Sequence, residues 1–439
     1  MDDNGQKQGK RRSHKKLWIA LAVVVVLVIA SGVYLVVSGS SVEERLAALR
    51  AEGYPTSFAE LAEYNKLPDG AENAAGTYEE AFDSFVQPAR DANVPLFGAI
   101  PLPDKGEPLP EEMVEATSRC LADNEKCLGL LRKAGSIKHC RYTWDYTAAM
   151  LPNLTQVREC ARLLELAAVF SAHEGDGGAA VGFIKDGLRL ADSLEGEPLL
   201  ISHLVRVACI GVSWGGLEQV LNMTPLTDEQ LKDLRDSLAR TAESIDLAEV
   251  MVTERCYMIE SFYNPAMLSG LGGGGKTLMN VPIIGKRGLL DTLDFMEHCI
   301  EAAKLEGTER AARFREIEKE IEDLSFFHVV VKMLAPAMSR VGVHDLRIHG
   351  HLRLAQAAIA VERYRLAKGE LPGRLEELAG EYLEAVPTDP FDDKPIRYKR
   401  TEPGYVLWSV HEDGKDDGGV ERDRKKKDQP YDLTFIVTR

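Results

Sequence analysis

The sequence predicts a mainly α-helical protein in three parts: an N-terminal transmembrane helix, an exported domain of helical hairpins, and a small C-terminal α+β module with an antiparallel sheet. Three observations lead there. Leu17 to Val37 is a run of 21 residues without a charge. From about Glu111 to Asn222 apolar residues recur at intervals of three and four, as at Leu154, Val157, Ala161, Leu164 and Ala168. After Pro395 the period changes to alternation, the mark of strands. The expected division is a basic cytoplasmic tail (1–16), a transmembrane helix (17–37), a helical exported domain (42–344) and an α+β module (345–439).

The apolar run spans a bilayer's hydrocarbon thickness at about 1.5 Å per residue. Lys7, Lys10, Arg11, Arg12, Lys15 and Lys16 precede it, so the positive-inside rule places that end in the cytoplasm. Trp18 and Tyr34 lie near its two ends, where amphipathic rings favour the membrane interface. A buried core helix with no polar face over this length, behind a basic block, is the weaker reading. Ala30-Ser31-Gly32 and Val37-Ser38-Gly39 offer small residues to a signal peptidase. The run is nevertheless longer than a signal-peptide core, so an uncleaved anchor is expected, with the bulk of the chain exported.

Beyond the linker at 38–41, Ser41 with Glu44 and Ser57 with Glu60 form capping-box patterns, the first opening a helix to about Arg50. A helix is expected from Glu72 to Val86. Five prolines between residues 93 and 110 read as a loop. The helical stretch that follows breaks at Gly175-Asp176-Gly177-Gly178 and at Glu195-Gly196-Glu197-Pro198. Thr227 with Gln230 caps a helix reaching about Tyr257. Residues 263–288 are Gly-rich. Helices resume at about 289–305 and 309–324, and a last long one runs from Asp345 to Ala367, stopped by Lys368-Gly369 and Pro372. Strands are expected at Pro395–Lys399, Tyr405–Val410 and Asp432–Val437.

The charge balance narrows the function. Lys+Arg is 53 and Asp+Glu is 69, a net −16, which argues against a general nucleic-acid binder. The first 16 residues carry +4 and the rest −20. Seven cysteines in an exported chain raise the question of disulfides. Cys160 and Cys209 sit in apolar helical stretches and read as buried thiols. Cys120 and Cys127, on one expected helix, stand about 10 Å apart along its axis, too far to bridge. One bridge among Cys120, Cys127 and Cys140 is left open.

Several motifs invite chemistry. Gly270 to Thr277 matches the phosphate-loop pattern GxxxxGK[ST]. A phosphate loop needs a strand before it and a helix after it, but here a helix end with Asn264-Pro265 precedes and Pro282 follows, so no nucleotide is expected. His344, His349 and His351 lack the i, i+4 spacing of a helical metal site, and no carboxylate was read in a matching register; they are expected on a surface helix start. His139 and Cys140 are neighbours, which alone does not make a catalytic pair. Tyr142, Trp144 and Tyr146 read as core or groove lining. No GxSxG, HExxH or GxGxxG occurs, which lowers the prospect of an enzyme. Asp413, Asp416 and Asp417 crowd three carboxylates among glycines, either as a solvated acidic turn or as oxygen ligands for Ca²⁺.

The stretch from Ala357 to Gly419 resembles the C-terminal part of the type II secretion major pseudopilin. The resembling residues are Glu362-Arg363-Tyr364-Arg365, Gly369 to Pro372, Tyr382-Leu383, Val386 to Phe391, Ile396 to Tyr398, Tyr405 to Ser409 and Asp413 to Gly419. The same segment is similar to the ends of membrane-anchored bacterial envelope proteins. The resemblance implies a long helix on a small antiparallel sheet and a Ca²⁺ ion held through Asp413, Asp416 and Asp417. The start of the chain departs from pseudopilins: Lys16-Leu17-Trp18-Ile19-Ala20 lacks their Gly, Phe-Thr-Leu and Glu.

The expected function is therefore that of a single-pass bacterial envelope protein, N-terminus cytoplasmic and body periplasmic, with a structural, scaffolding or protein-interaction role beside other envelope proteins. An envelope hydrolase or ligand-binding protein with a site in a groove of the helical domain is the alternative. A secretion-system component is a third.

Overall fold

In the computed structural model the described residues are 41–98, 100–143, 153–264, 267, 282–322, 324, 328–423, 426 and 429–439. The expected transmembrane helix at 17–37, the phosphate-loop match at 270–277, Trp144 and Tyr146 lie outside them. The described chain is mainly helical, with a three-stranded antiparallel sheet near its C-terminus.

The helices are α1 (41–51), α2 (Phe58–Tyr64), α3 (Ala75–Asp83), α4 (Glu111–Asp123), α5 (Glu125–Gly135), α6 (Leu154–His173), α7 (Gly177–Asp192), α8 (Leu200–Met223), α9 (Asp228–Glu243), α10 (Leu247–Tyr263), α11 (Pro282–Lys304), α12 (Gly307–Glu322) and α13 (Val329–Lys368). The strands are β1 (Arg397–Arg400), β2 (Tyr405–Ser409) and β3 (Leu433–Val437), in that spatial order. Thr227 and Gln230 make the full capping box at α9. At α2 only half of the pattern forms: Ser57 accepts from the Glu60 N–H, while the Glu60 carboxylate turns to the Thr56 N–H at 2.7 Å.

Several boundaries differ from the sequence reading: the stretch expected to be helical from Glu111 to Asn222 is also broken at 136–143, and the helix expected from Glu72 to Val86 is confined to Ala75–Asp83. Asn124 divides the helix expected to carry both Cys120 and Cys127 into α4 and α5, its side-chain amide donating to the Cys120 and Val86 carbonyls. Asp246 caps a new helix, α10, where one helix was expected to run on. Pro282, expected to block a helix, is the first residue of α11, a position where the missing N–H has no intrahelical partner to lose. The last helix begins at Val329 rather than Asp345 and passes through Pro336. Val331, Ala335, Met338 and Val341 bury that first half in the cluster it shares with α11 and α12, which offsets the hydrogen bond that Pro336 cannot make.

α6, α7 and α8 pack on one another and carry the main core, with α3 and α5 on one flank and α9 on another. α10, α11, α12 and the first half of α13 enclose a second apolar cluster around Phe295, Met296 and Phe314. α13 belongs to both. Where it crosses α12, a side chain at Gly342 would overlap the Phe314 ring, so the close approach requires glycine. Its second half lies on α8 and α9 and bears the sheet. By length and composition α8 alone among the described helices is apolar enough to cross a membrane; 56% of its most apolar window is buried inside the protein, as befits a core helix.

β2 is central and buried on both faces. Tyr405 faces α13, its hydroxyl donating to Glu362 Oε1 at 3.0 Å. On the other face Gly419 lies so close to Trp408 and Val406 that the acidic loop is folded over them. The outer edge of β3 is not open for pairing. Glu218 accepts the Ile436 N–H at 2.7 Å, and Asn222 bonds the Ile436 carbonyl and the Thr438 N–H. Side chains of α8 thus occupy the strand edge and tie the sheet to the helices.

Candidate ligand-binding cleft and the acidic loop

A cleft of about 860 Å³ opens between α5, α7, α9 and the segment 136–142. After the turn at 136–138, residues 139–142 are held by polar contacts on both sides. The Ala74 N–H bonds the His139 carbonyl at 2.8 Å. Asn73 exchanges two 2.9 Å bonds with the Arg141 backbone. The Tyr142 N–H reaches Glu197 at 3.2 Å, and the Tyr142 hydroxyl lies 3.0 Å from Ser193 Oγ. Tyr142 is buried, as expected, while its neighbours Cys140 and Arg141 line the cleft.

Tyr78 and Leu188 form an apolar floor, and the walls carry Lys138, His139, Arg141, Lys185, Arg189 and Arg240 against two carboxylates, Asp192 and Glu195. Asp192 is already engaged by Arg206 at 2.9 Å and Thr241 at 3.0 Å. Lys185 pairs with Asp233, and Arg189 shares Asp186 with Arg132. Lys138, Arg141 and Arg240 form no ion pair among the described residues. Arg141 donates from Nη1 to the Glu195 and Gly196 carbonyls, and its buried Nε has no partner among the described residues. In a chain of net charge −16 this wall is locally cationic. Burial pushes the Cys140 thiol up to about 12, against the opposing effect of the Tyr142 hydrogen bond, so the sulfur is a neutral thiol at physiological pH.

The expected histidine group is divided. His344 is exposed. His351 stacks on Trp214 with ring centroids 4.2 Å apart, and burial lowers it to about 3. Against expectation a carboxylate does match their register: Asp345 stands one turn before His349, at 3.5 Å. Asp345 is fully buried, with His203 Nε2 at 3.1 Å and Arg310 Nη1 at 2.5 Å. This knot joins α8, α12 and α13. Its members are far apart in sequence, so only the i, i+4 pair was open to inspection.

The acidic loop is organised by Arg397. Its guanidinium meets Asp389 at 2.5 Å, Asp392, and Asp416 at 3.6 Å. Asp389 is fully buried and also accepts from Ser409 Oγ and the Val410 N–H, which explains a carboxylate before Pro390. Asp416 accepts from Trp408 Nε1 at 2.9 Å and from the Gly418 N–H at 3.0 Å; the Trp408 bond, those N–H groups and Arg397 hold its carboxyl below the usual range. Asp413 is exposed and accepts from the Lys415 N–H. Asp417 instead lies beside buried Asp432, which accepts the Asp417 and Gly419 N–H groups. Asp417 Oδ2 is buried without a partner among the described residues, and burial, with the nearby Asp417 and Asp416 charges, raises Asp432. Asp413, Asp416 and Asp417 thus face three different partners, and among the described residues no three His, Cys, Asp or Glu side chains are gathered as a metal site.

The seven cysteines are free thiols, six of them buried. Cys127 and Cys160 bring their sulfurs to 3.9 Å, a pair that the sequence spacing of 33 residues concealed. Compared with known proteins, the chain matches no family model, no curated protein and no solved structure.

Proposed function

We propose that the chain is a single-pass bacterial envelope protein, tethered through residues 17–37, whose exported helical body is a binding module for a ligand or for other envelope proteins. The observation that carries the binding role is the cleft at α5, α7 and α9, with its cationic wall and its neutral Cys140 thiol. Catalysis by that cysteine would need a thiolate, and burial acts against one. The sheet packed on α13 supports a pseudopilin-like C-terminal module, used here as a fold and not as a pilus subunit.

The topology has a direct test. In spheroplasts, external protease is expected to digest the chain beyond Ser38 while residues 1–16 stay protected. Deleting 17–37 should move the protein from the membrane pellet to the soluble fraction. Full protection of the body in spheroplasts that are demonstrably intact would refute an exported body.

We also propose that Ca²⁺ binds weakly at the acidic loop, where Asp417 Oδ2 is buried without a partner among the described residues and the Asp417 charge lies near that of Asp432. Asp416 is held by Arg397 and Trp408, so Asp417 would be the main ligand, with exposed Asp413 within the same loop. Millimolar Ca²⁺ is expected to raise the wild-type Tm by a few degrees and to leave Asp417→Asn unmoved. An unchanged wild-type Tm would remove Ca²⁺ from the account.

A further inference from the structure

The geometry points to a small organic anion with at least two anionic groups, carboxylate or phosphate, as the ligand of the α5–α7–α9 cleft. This rests on the proposed binding role of the same cleft and adds the chemical class.

Arg141 is the centre of the argument. Two backbone carbonyls hold its Nη1 in place, on Glu195 and Gly196. Gly196 has φ +67°, and a side chain there would stand 2.8 Å from Arg141 Nη2, so the turn is shaped around the guanidinium. Nε is buried without a partner among the described residues, and the Glu195 carboxylate, though near enough to feel the charge, forms no ion pair with this arginine there. Arg141 thus lines the cleft with its guanidinium held in place from the Gly196 side, and a guanidinium offers a planar carboxylate or a phosphate paired N–H donors that an ammonium does not. Glu195 on the same wall feels the Arg141 charge without forming an ion pair with it, so the cleft keeps a surplus of positive charge that an incoming anion answers.

The second anionic group follows from the opposite wall. Arg240 of α9 makes its hydrogen bonds only to its own helix, through the Asp236 carbonyl and Ser237 Oγ, and keeps its charge uncompensated. Lys138, exposed at the rim, is the third cation without an ion pair among the described residues. The volume of about 860 Å³ fits a small molecule rather than a polymer segment, and the apolar floor of Tyr78 and Leu188 accommodates a short carbon skeleton between the charged ends.

The test is calorimetric titration of the full chain in detergent with citrate, with inorganic pyrophosphate and with maltose. At least one anion is expected to bind with sub-millimolar Kd, and the stronger of the two identifies carboxylate or phosphate as the preferred group. Affinity should fall about tenfold or more in Arg141→Gln, and also in Arg141→Lys, which keeps the charge but loses the paired donors. The exposed Arg240→Gln, which leaves the fold untouched, should weaken binding roughly fivefold, and raising NaCl from about 50 to 300 mM should weaken the wild type likewise. Anion binding that is equal in wild type, Arg141→Lys and Arg240→Gln would overturn the proposal. Binding of maltose alone, lost in Arg240→Trp, would overturn the anionic class while keeping the cleft as a binding site. Binding of none of the three would overturn the anionic class, and a broader neutral and cationic fragment set that also failed would remove the cleft's binding role.

Discussion

Asp345→Ala should destabilise the protein by about 3–5 kcal/mol, the expected loss when one member of a buried ion pair is removed and its partner stays buried. Asp345 is fully buried, and its two oxygens are divided between His203 on one side and Arg310 with His349 on the other. Arg310 also donates to the Leu305 carbonyl, so without Asp345 its charge keeps one neutral partner in a site only 13% exposed. The loss falls where α8, α12 and α13 meet, so it should loosen the second core as well as the knot. Asp345→Asn keeps the shape and one acceptor and should lose about half as much. Burial alone would raise this carboxyl, but hydrogen bonds and charge from His203 and His349 overcome it and hold the group well below the usual carboxylate range. Its contribution is therefore fully present above pH ~4, the unfolded value, and is lost only as pH falls through the lower folded value. Urea unfolding at pH 7 and at pH 3 measures both statements; a loss under ~1 kcal/mol at pH 7 for the alanine variant would show that the knot does not hold these helices.

What the sequence made legible divides along physical lines. Local chemistry was readable: the Thr227–Gln230 box, the glycine break before α7, the αL stop at Gly369 and the alternation of the three strands each depend on residues within a few positions. Helix boundaries set by tertiary packing were not. Asn124 ends α4 because Val86, 38 residues away, uses its amide, and Pro336 stays helical because its neighbours on α13 are buried against α11 and α12. The cleft was invisible for the same reason. Its walls come from the ends of α5, α7 and α9 and from the Asn73-held segment at 136–142, and no motif spans them. The acidic run at 413–417 was conspicuous, yet the residue that organises it is Arg397, an ordinary strand residue until its three carboxylate neighbours are seen together. Gly419 likewise reads as a flexible turn residue, whereas its lack of a side chain is what lets the loop close over Trp408.

Stability should fall as pH rises from about 4.5 to about 8, and Glu165→Gln should remove the largest share of that fall. Three carboxyls drive it. Burial raises Glu165 to about 8, opposed only by the Arg162 charge. Burial raises Glu218 to about 7 against Lys105 and the Ile436 N–H, and Glu254 to about 7 against the Leu200 N–H that it accepts at 2.8 Å. The sign follows from proton counting. In this window the unfolded chain has lost the three protons and the folded chain still holds part of them, so raising the pH favours unfolding. The three groups are not equivalent. Glu218 is the counter-charge of Lys105 at 3.1 Å and the acceptor for the edge of β3, so Glu218→Gln gives up an ion pair as it removes a buried charge. Glu254 caps the start of α8. Glu165 has no comparable duty: Arg162, its charged neighbour, is bonded to Glu159 at 2.9 Å, and the Glu165 side chain lies against Gly215 through its carboxyl and Gly216 through its Cγ, each within 3.4 Å of where a Cβ would stand. The amide of Gln fills the same space without a charge to desolvate. Glu165→Gln is therefore expected to raise stability by roughly 2 kcal/mol at pH 8.5 and by little at pH 4.5, a shift discounted from the full pKa difference because the residue is only half-buried. Denaturant titrations of both proteins across that range decide it. Parallel curves for wild type and variant would mean that Glu165 is solvated in the folded protein and that the α6–α8 contact is looser than its two glycines imply.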